Sequence, residues 1–205
     1  MASRTERMEV CSELYAINKE QVLSNAILAN IGESNIRKSY VFEMIEADAL
    51  LLEIRKYFFQ ERRFRKEEIL LRAPSYDDTE KEATAEFFSN KSNAEVSYKD
   101  LVFVYPHQYE VCLGFMPPNI AAYFLGAYMC FAVAEADKSI QFSLMNILEE
   151  SMWDSREDKS WIQKFRSSFS TEQKEVIRNF VSFIHDKFSM DMTIMDFDRA
   201  VQNYS

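Results

Sequence analysis

The sequence predicts a mostly α-helical protein: a compact multi-helix domain with an N-terminal helical extension and at most a minor short strand. One observation is the uncharged run from Ile120 to Ala134, which follows the pair Pro117-Pro118. Proline favours the first turn of a helix, and a helix without polar faces must be buried on all sides. The other is that the chain holds only 3 Gly and 4 Pro. Sandwiches and barrels need many tight turns, which these residues supply.

The length and composition favour a single core. With 205 residues, of which 47% are apolar and 14% aromatic, the chain can bury one sizeable core. We assign residues 1–33 to the helical extension and residues 34–205 to a single helical domain. The boundary lies there because Gly32 interrupts the first helical pattern, and Ser34 or Asn35 can cap the helix that follows.

The N-terminal half of the domain shows two helical patterns and one ambiguous run. Apolar residues at helical spacing predict a helix from Ile36 to about Tyr57. A second helix is expected to start near Asp78, because acidic residues are favourable at a helix N-terminus. The run Leu101–Tyr105 looks strand-like but has no obvious partner. An edge strand, an extended segment and a helix turn therefore all remain open.

The C-terminal half contains the clearest helices. The buried helix is expected from Pro118 to about Glu135, and an amphipathic helix from about residue 138 to 153. The charged residues 154–160 predict a loop. Ser170 and Gln173 have the spacing of a capping box, which predicts a helix over residues 171–188.

The charge balance argues against several classes of partner. The 24 basic and 33 acidic residues give a net charge of −9. Phosphate backbones are bound mainly through Lys and Arg, so we expect no general nucleic-acid binding and no binding to anionic membranes. The uncharged run 120–134 is shorter than the ~20 residues of a membrane-spanning helix. The better interpretation of the charge is solubility and steering toward a basic protein surface.

The cysteines and the N-terminus indicate a cytoplasmic protein. Cys11, Cys112 and Cys130 are widely spaced and odd in number, so they fit neither a disulfide framework nor a zinc site. Cys112 and Cys130 lie in apolar surroundings and are expected to be buried thiols. Residues 1–10 are charged and lack the apolar stretch of a secretory signal.

The candidate binding residues form two small groups. His107 is flanked by Tyr105 and Tyr109, and Asp77-Asp78 is a paired-acid signal. These five side chains would form a pocket if the fold brought them together. Turn formation and helix capping explain them equally well. No motif names a reaction, so we assign no catalytic residue, no cofactor and no metal ligand.

The segment 53–72 carries a local excess of Lys and Arg. It fits either an anion-binding or acidic-partner patch, or a solvated surface with local ion pairs. His185, late in the 171–188 helix, is expected to interact with the helix C-terminus.

Several segments together resemble a family of small bacterial proteins of unknown function. The resemblance covers roughly residues 45–188. It implies a fold and transfers no catalytic residue. The segments that carry it are Phe115-Met116-Pro117-Pro118, the Tyr- and Ala-rich helix 121–129, Phe169-Ser170-Thr171-Glu172-Gln173, and Ile177 to Phe183, with 71–78 as a further match upstream.

These observations lead to one main functional expectation and two alternatives. We expect a non-enzymatic cytoplasmic protein-binding module that captures a basic partner, for example as an inhibitor or an immunity or defence protein. Its acidic segments 77–86 and 149–158 are the expected contacts. The first alternative is a small enzyme or ligand-binding domain with a pocket around Asp77, Asp78, Tyr105, His107 and Tyr109. The second is a structural homo-oligomer that packs through its N-terminal helix.

Overall fold

The computed structural model describes residues 35–70, 78–104, 109–149, 156–188 and 197–204. Residues from Ala47 to Ser205 form one compact unit. The expected extension 1–33 and its boundary lie outside the described residues, as does Cys11. The domain assignment therefore stays a prediction.

Helices make up the architecture, and the described ranges contain no strand. The mostly α-helical, compact multi-helix fold is thus confirmed. In chain order the elements are α1 (Asn35–Phe58), α2 (Lys66–Ile69), α3 (Asp78–Phe88), α4 (Tyr98–Val104), a 3₁₀ helix (Tyr109–Phe115), α5 (Pro118–Ala134), α6 (Lys138–Glu149), α7 (Arg156–Ser167), α8 (Thr171–Phe188) and α9 (Phe197–Asn203).

The uncharged helix α5 lies at the centre of this unit. It starts at the proline pair, as predicted, with Pro117 at the N-cap and Pro118 in the first turn. All its residues from Ile120 to Cys130 are buried. α5 packs against α6, α7 and the 3₁₀ helix. Burial on every side explains why this helix carries no charge, since an unpaired charge there would be costly to desolvate.

A glycine allows the end of α1 to pack closely on α5. A Cβ added at Gly126 would lie far inside van der Waals distance of Phe58 Cβ and 3.0 Å from Phe58 Cγ. Phe58 is itself buried, with 1% of its surface exposed. The two backbones can therefore approach only because Gly126 has no side chain.

A buried tyrosine ties two irregular segments to α5. The Tyr123 hydroxyl accepts hydrogen bonds from the backbone N–H groups of Arg62 (3.2 Å) and Asn93 (3.1 Å). It donates its proton to one of two carbonyls, those of Gln60 and Arg62, each at 2.6 Å. The Asn93 side-chain amide donates to the carbonyls of Phe58 (2.6 Å) and Tyr123 (3.2 Å). We call these contacts the Tyr123–Asn93 network.

One segment settles an alternative that the sequence leaves open, and another differs from the sequence-based expectation. Leu101 to Val104 belong to helix α4, which corresponds to the helix-turn alternative rather than to a strand; Tyr105 lies outside the described residues. The loop predicted over 154–160 is wrong, because α7 starts at Arg156. The charged residues form its first turn, and the buried side chains Trp161, Ile162 and Phe165 follow at helical spacing.

The helix predicted from about residue 138 to 153 is described as far as Glu149. The capping box before α8 is confirmed. The Ser170 N–H donates to Gln173 Oε1 (3.0 Å), and the Gln173 N–H donates to Ser170 Oγ (3.2 Å). The Gln173 side-chain amide also donates to the Tyr57 carbonyl (3.0 Å), so the cap holds the end of α1 as well.

The close approach at Gly126 generates a stability prediction. Gly126→Ala raises helix propensity by about 1 kcal/mol, but the new Cβ collides with Phe58. We expect the collision to dominate and to lower the free energy of unfolding by about 1–3 kcal/mol, as measured by urea denaturation. Ala134→Ser, at the exposed last residue of α5, is the control and should change it by less than about 0.5 kcal/mol. If Gly126→Ala left the protein as stable as the wild type, the packing described here would be contradicted.

Candidate functional site

Most of the predicted pocket residues cannot be placed together. Asp77, Tyr105 and His107 lie outside the described residues. Asp78 is the first residue of α3, and only its backbone is described. Tyr109 is the first residue of the 3₁₀ helix, and its hydroxyl donates to Asp137 Oδ2 (2.8 Å). The grouping of these five residues therefore stays a prediction.

The Asp137 carboxylate accepts four hydrogen bonds. Its Oδ2 accepts hydrogen bonds from the hydroxyls of Tyr98 (2.7 Å) and Tyr109 (2.8 Å). Its Oδ1 accepts from the backbone N–H groups of Ser139 (2.8 Å) and Ile140 (3.1 Å), which caps α6. One side chain thus joins α4, the 3₁₀ helix and α6.

These contacts shift three pKa values. Partial burial alone would raise the pKa of Asp137, but the hydrogen bonds from Tyr98, Ile140, Tyr109 and Ser139 outweigh it and hold that pKa below its ordinary value. The hydrogen bond to Asp137, followed by burial, raises the pKa of Tyr98. Burial, followed by the bond to Asp137, raises the pKa of Tyr109 to about 12. Both phenols therefore remain protonated donors at neutral pH.

The sequence analysis did not single out Asp137 or Tyr98. A signal for Asp137 exists, because an aspartate directly before an apolar helical pattern is a typical N-cap. No local signal links it to Tyr98 or Tyr109, which lie 39 and 28 residues away along the chain.

Two phenylalanines are exposed on the helices that Asp137 joins. Phe103 on α4 has 89% of its surface exposed, and Phe142 on α6 has 50%. Asp100, also exposed, lies three residues before Phe103 and thus on the same side of α4. We call Asp100 and Phe103 the exposed aromatic surface.

The charged segments of the sequence divide into paired and buried groups. Arg63 pairs with Glu95 (2.6 Å), Arg65 with Glu68 (3.4 Å), and Lys66 with Glu86 (2.8 Å). These contacts favour the ion-pair interpretation of the basic segment 53–72. The acidic segment 149–158 is not a uniform surface, because Glu149 has only 2% of its surface exposed; it ends α6, whose last turns face the core.

The described thiols are buried, as expected. Burial raises the pKa of Cys112 to about 12 and that of Cys130 to about 11, so both stay protonated at neutral pH. His185 lies in the last turn of α8, and its Nδ1 is 3.2 Å from Asp186 Oδ1. Within the described ranges, no three His, Cys, Asp or Glu side chains are grouped so that they could hold a metal ion. None of the helices described is long and apolar enough to cross a membrane.

Comparison with known protein families matches residues 46–204 to DUF6714, a family of unknown function. The chain belongs to this family. The predicted resemblance to a family of unknown function is thereby confirmed, and the DUF6714 match begins where the resemblance was expected to begin, near residue 45. Neither the curated proteins nor the solved structures give a match. Membership of DUF6714 therefore supports a shared fold and names no activity.

The contacts of Asp137 predict a pH-dependent contribution to stability. Asp137→Asn keeps one oxygen that can cap α6, but it removes the charged oxygen that accepts hydrogen bonds from two phenols. We therefore expect the free energy of unfolding to fall by about 1–2 kcal/mol at pH 7. Because the folded pKa lies below its ordinary value of 3.8, this contribution is present above about pH 5 and is lost as the pH falls through the folded pKa. Urea denaturation of both proteins from pH 7 to pH 3 measures it.

The control for this prediction is Asp48→Asn, which neutralises an exposed carboxylate in the interior of α1, away from the helix ends. It should change stability by less than about 0.5 kcal/mol at each pH. A penalty for Asp137→Asn that does not shrink on acidification would contradict the electrostatic role of Asp137.

Proposed function

We propose that this DUF6714 protein is a non-enzymatic protein-binding module of the bacterial cytoplasm that captures a partner with a basic surface. The observation that supports this best is Phe103, which is 89% exposed and has the exposed carboxylate of Asp100 one turn before it. Most large apolar side chains of the described chain are buried. The nearly full exposure of Phe103 is therefore unusual for this chain, and binding of another protein at this residue would explain it.

The pairing of an aromatic ring with a carboxylate suits a basic partner. An Arg or Lys side chain can lie over the ring of Phe103 while it pairs with Asp100. Interface hot spots combine aromatic anchors and charges in this way.

The overall charge supports fast association with such a partner. At a net charge of −9, long-range attraction would steer a basic protein toward this chain. The form of binding we favour is inhibition or immunity, in which an acidic protein covers the basic active surface of another protein. The acidic helix α3 also exposes Glu82 and Glu86, and Glu86 is paired with Lys66.

The proposal is tested by capture from host lysate with the tagged protein and two variants. Phe103→Ser removes the aromatic anchor, and Asp100→Lys reverses the adjacent charge. We expect wild type to retain one stoichiometric partner at low salt and to release it as salt rises. Each variant should retain at least about fivefold less, the usual effect of losing a hot-spot residue.

The matched control is Asp186→Lys, which makes the same charge change at an exposed site on α8 and should retain the partner. Circular dichroism of each variant checks that it folds. Equal capture by Phe103→Ser, equal loss with Asp186→Lys, or no stoichiometric partner would overturn the proposal. A partner that proves to be a second copy of the chain, with a doubled mass in solution, would favour the homo-oligomer instead.

A further inference from the structure

A small cleft lies beside the first turn of α5. Its volume is about 170 Å³. The buried side chains of Phe58, Ala122 and Phe169 supply its apolar part. Polar residues from different segments complete the lining, including Gln60, Arg62 and Asn119.

The charged lining of the cleft comes from Arg62. Among the described residues that line the cleft, Arg62 is the only charged one and none is acidic. In the described part of the chain the Arg62 guanidinium makes no ion pair within 4 Å, although its charge helps to lower the pKa of Glu68. It lies over the Phe64 ring, 4.4 Å from the centroid. By contrast, the neighbouring Arg63 is paired with Glu95 and Glu61. In a chain of net charge −9, a cleft with one cation and no carboxylate favours an anionic ligand.

Two amide side chains supplement the guanidinium. Gln60 and Asn119 are both exposed, and each carries an N–H₂ group that can donate hydrogen bonds. The backbone of Arg62 is fixed, because its N–H donates to the Tyr123 hydroxyl. Asn119 is fixed by its place in the first turn of α5, whose positive dipole end adds to the same field. The donors are therefore carried by backbone that the core holds in place.

We propose that this cleft binds the phosphate group of a small molecule, through the side chains of Arg62, Gln60 and Asn119. The volume equals that of about five or six water molecules, which fits a phosphate or a short phosphomonoester and is below the ~300 Å³ of typical drug-sized sites. A phosphate presents three terminal oxygens, which matches three separate donors, and its charge exceeds that of a carboxylate. The cleft shares no residue with the exposed aromatic surface, so this inference does not depend on the proposed function.

The test is a titration of the full-length, ¹⁵N-labelled protein with inorganic phosphate and with phenyl phosphate at constant ionic strength. Saturable shifts should appear at the amides of Gln60, Arg62 and Asn119. Arg62→Gln removes the cation but keeps the backbone N–H that Tyr123 holds, and should weaken binding about tenfold or more. Arg63→Gln is the control, because Arg63 does not line the cleft; it should change the affinity less than about twofold.

A second variant separates binding from stability. Asn119→Asp places a negative charge in the first turn of α5, which favours the helix, yet it should repel phosphate from the cleft. We therefore expect an unchanged or raised melting temperature together with lost binding. Shifts that do not saturate, an equal effect of Arg62→Gln and Arg63→Gln, or unimpaired binding by Asn119→Asp would overturn the proposal. Benzoate that binds as tightly as phenyl phosphate would overturn the assignment to phosphate.

Discussion

The arrangement of the unit depends on the hydroxyl of Tyr123. Hydrophobic burial of α5 is non-directional and does not by itself determine how irregular segments lie against the helix. The Tyr123–Asn93 network supplies that direction, because the hydroxyl binds the backbone at Gln60, Arg62 and Asn93. Left unpaired, the buried N–H of Asn93 would cost about 1–3 kcal/mol. Tyr123 is thus part of the buried surface of α5 and also anchors the two irregular segments to this helix.

Aromatic packing reinforces this anchor and links it to the proposed phosphate site. The Tyr123 ring lies edge-on to Phe64, with centroids 5.1 Å apart, and Phe64 in turn carries the Arg62 guanidinium over its face. Arg62 is therefore held through its backbone by the Tyr123 hydroxyl and through its side chain by the Phe64 ring. At the other end of α5, Asp137 has a comparable role, since one carboxylate holds two tyrosines and caps α6. Both anchors are polar groups whose partners are distant in sequence.

The sequence predicts the parts of this fold that depend on local pattern. The start of α5 at the proline pair and the cap at Ser170 and Gln173 follow from residue type and spacing, and the structure confirms them. Helix α7 was missed because its charged first turn looks like a loop until the buried Trp161 is reached. The cleft, the Tyr123–Asn93 network and the Asp137 contacts were not predicted. Their members lie far apart in the chain, and only tertiary packing brings them together.

Amide hydrogen exchange tests the role of Tyr123 most directly. The N–H groups of Arg62 and Asn93 lie outside any helix, and both donate to the Tyr123 hydroxyl. In the wild type they should exchange as slowly as core helix amides such as that of Phe180. In Tyr123→Phe the protection of the Arg62 and Asn93 amides against exchange should fall about tenfold or more, while the protection of the Phe180 amide should stay unchanged. Rapid exchange of Arg62 and Asn93 in the wild type, or unchanged protection in the variant, would contradict the account.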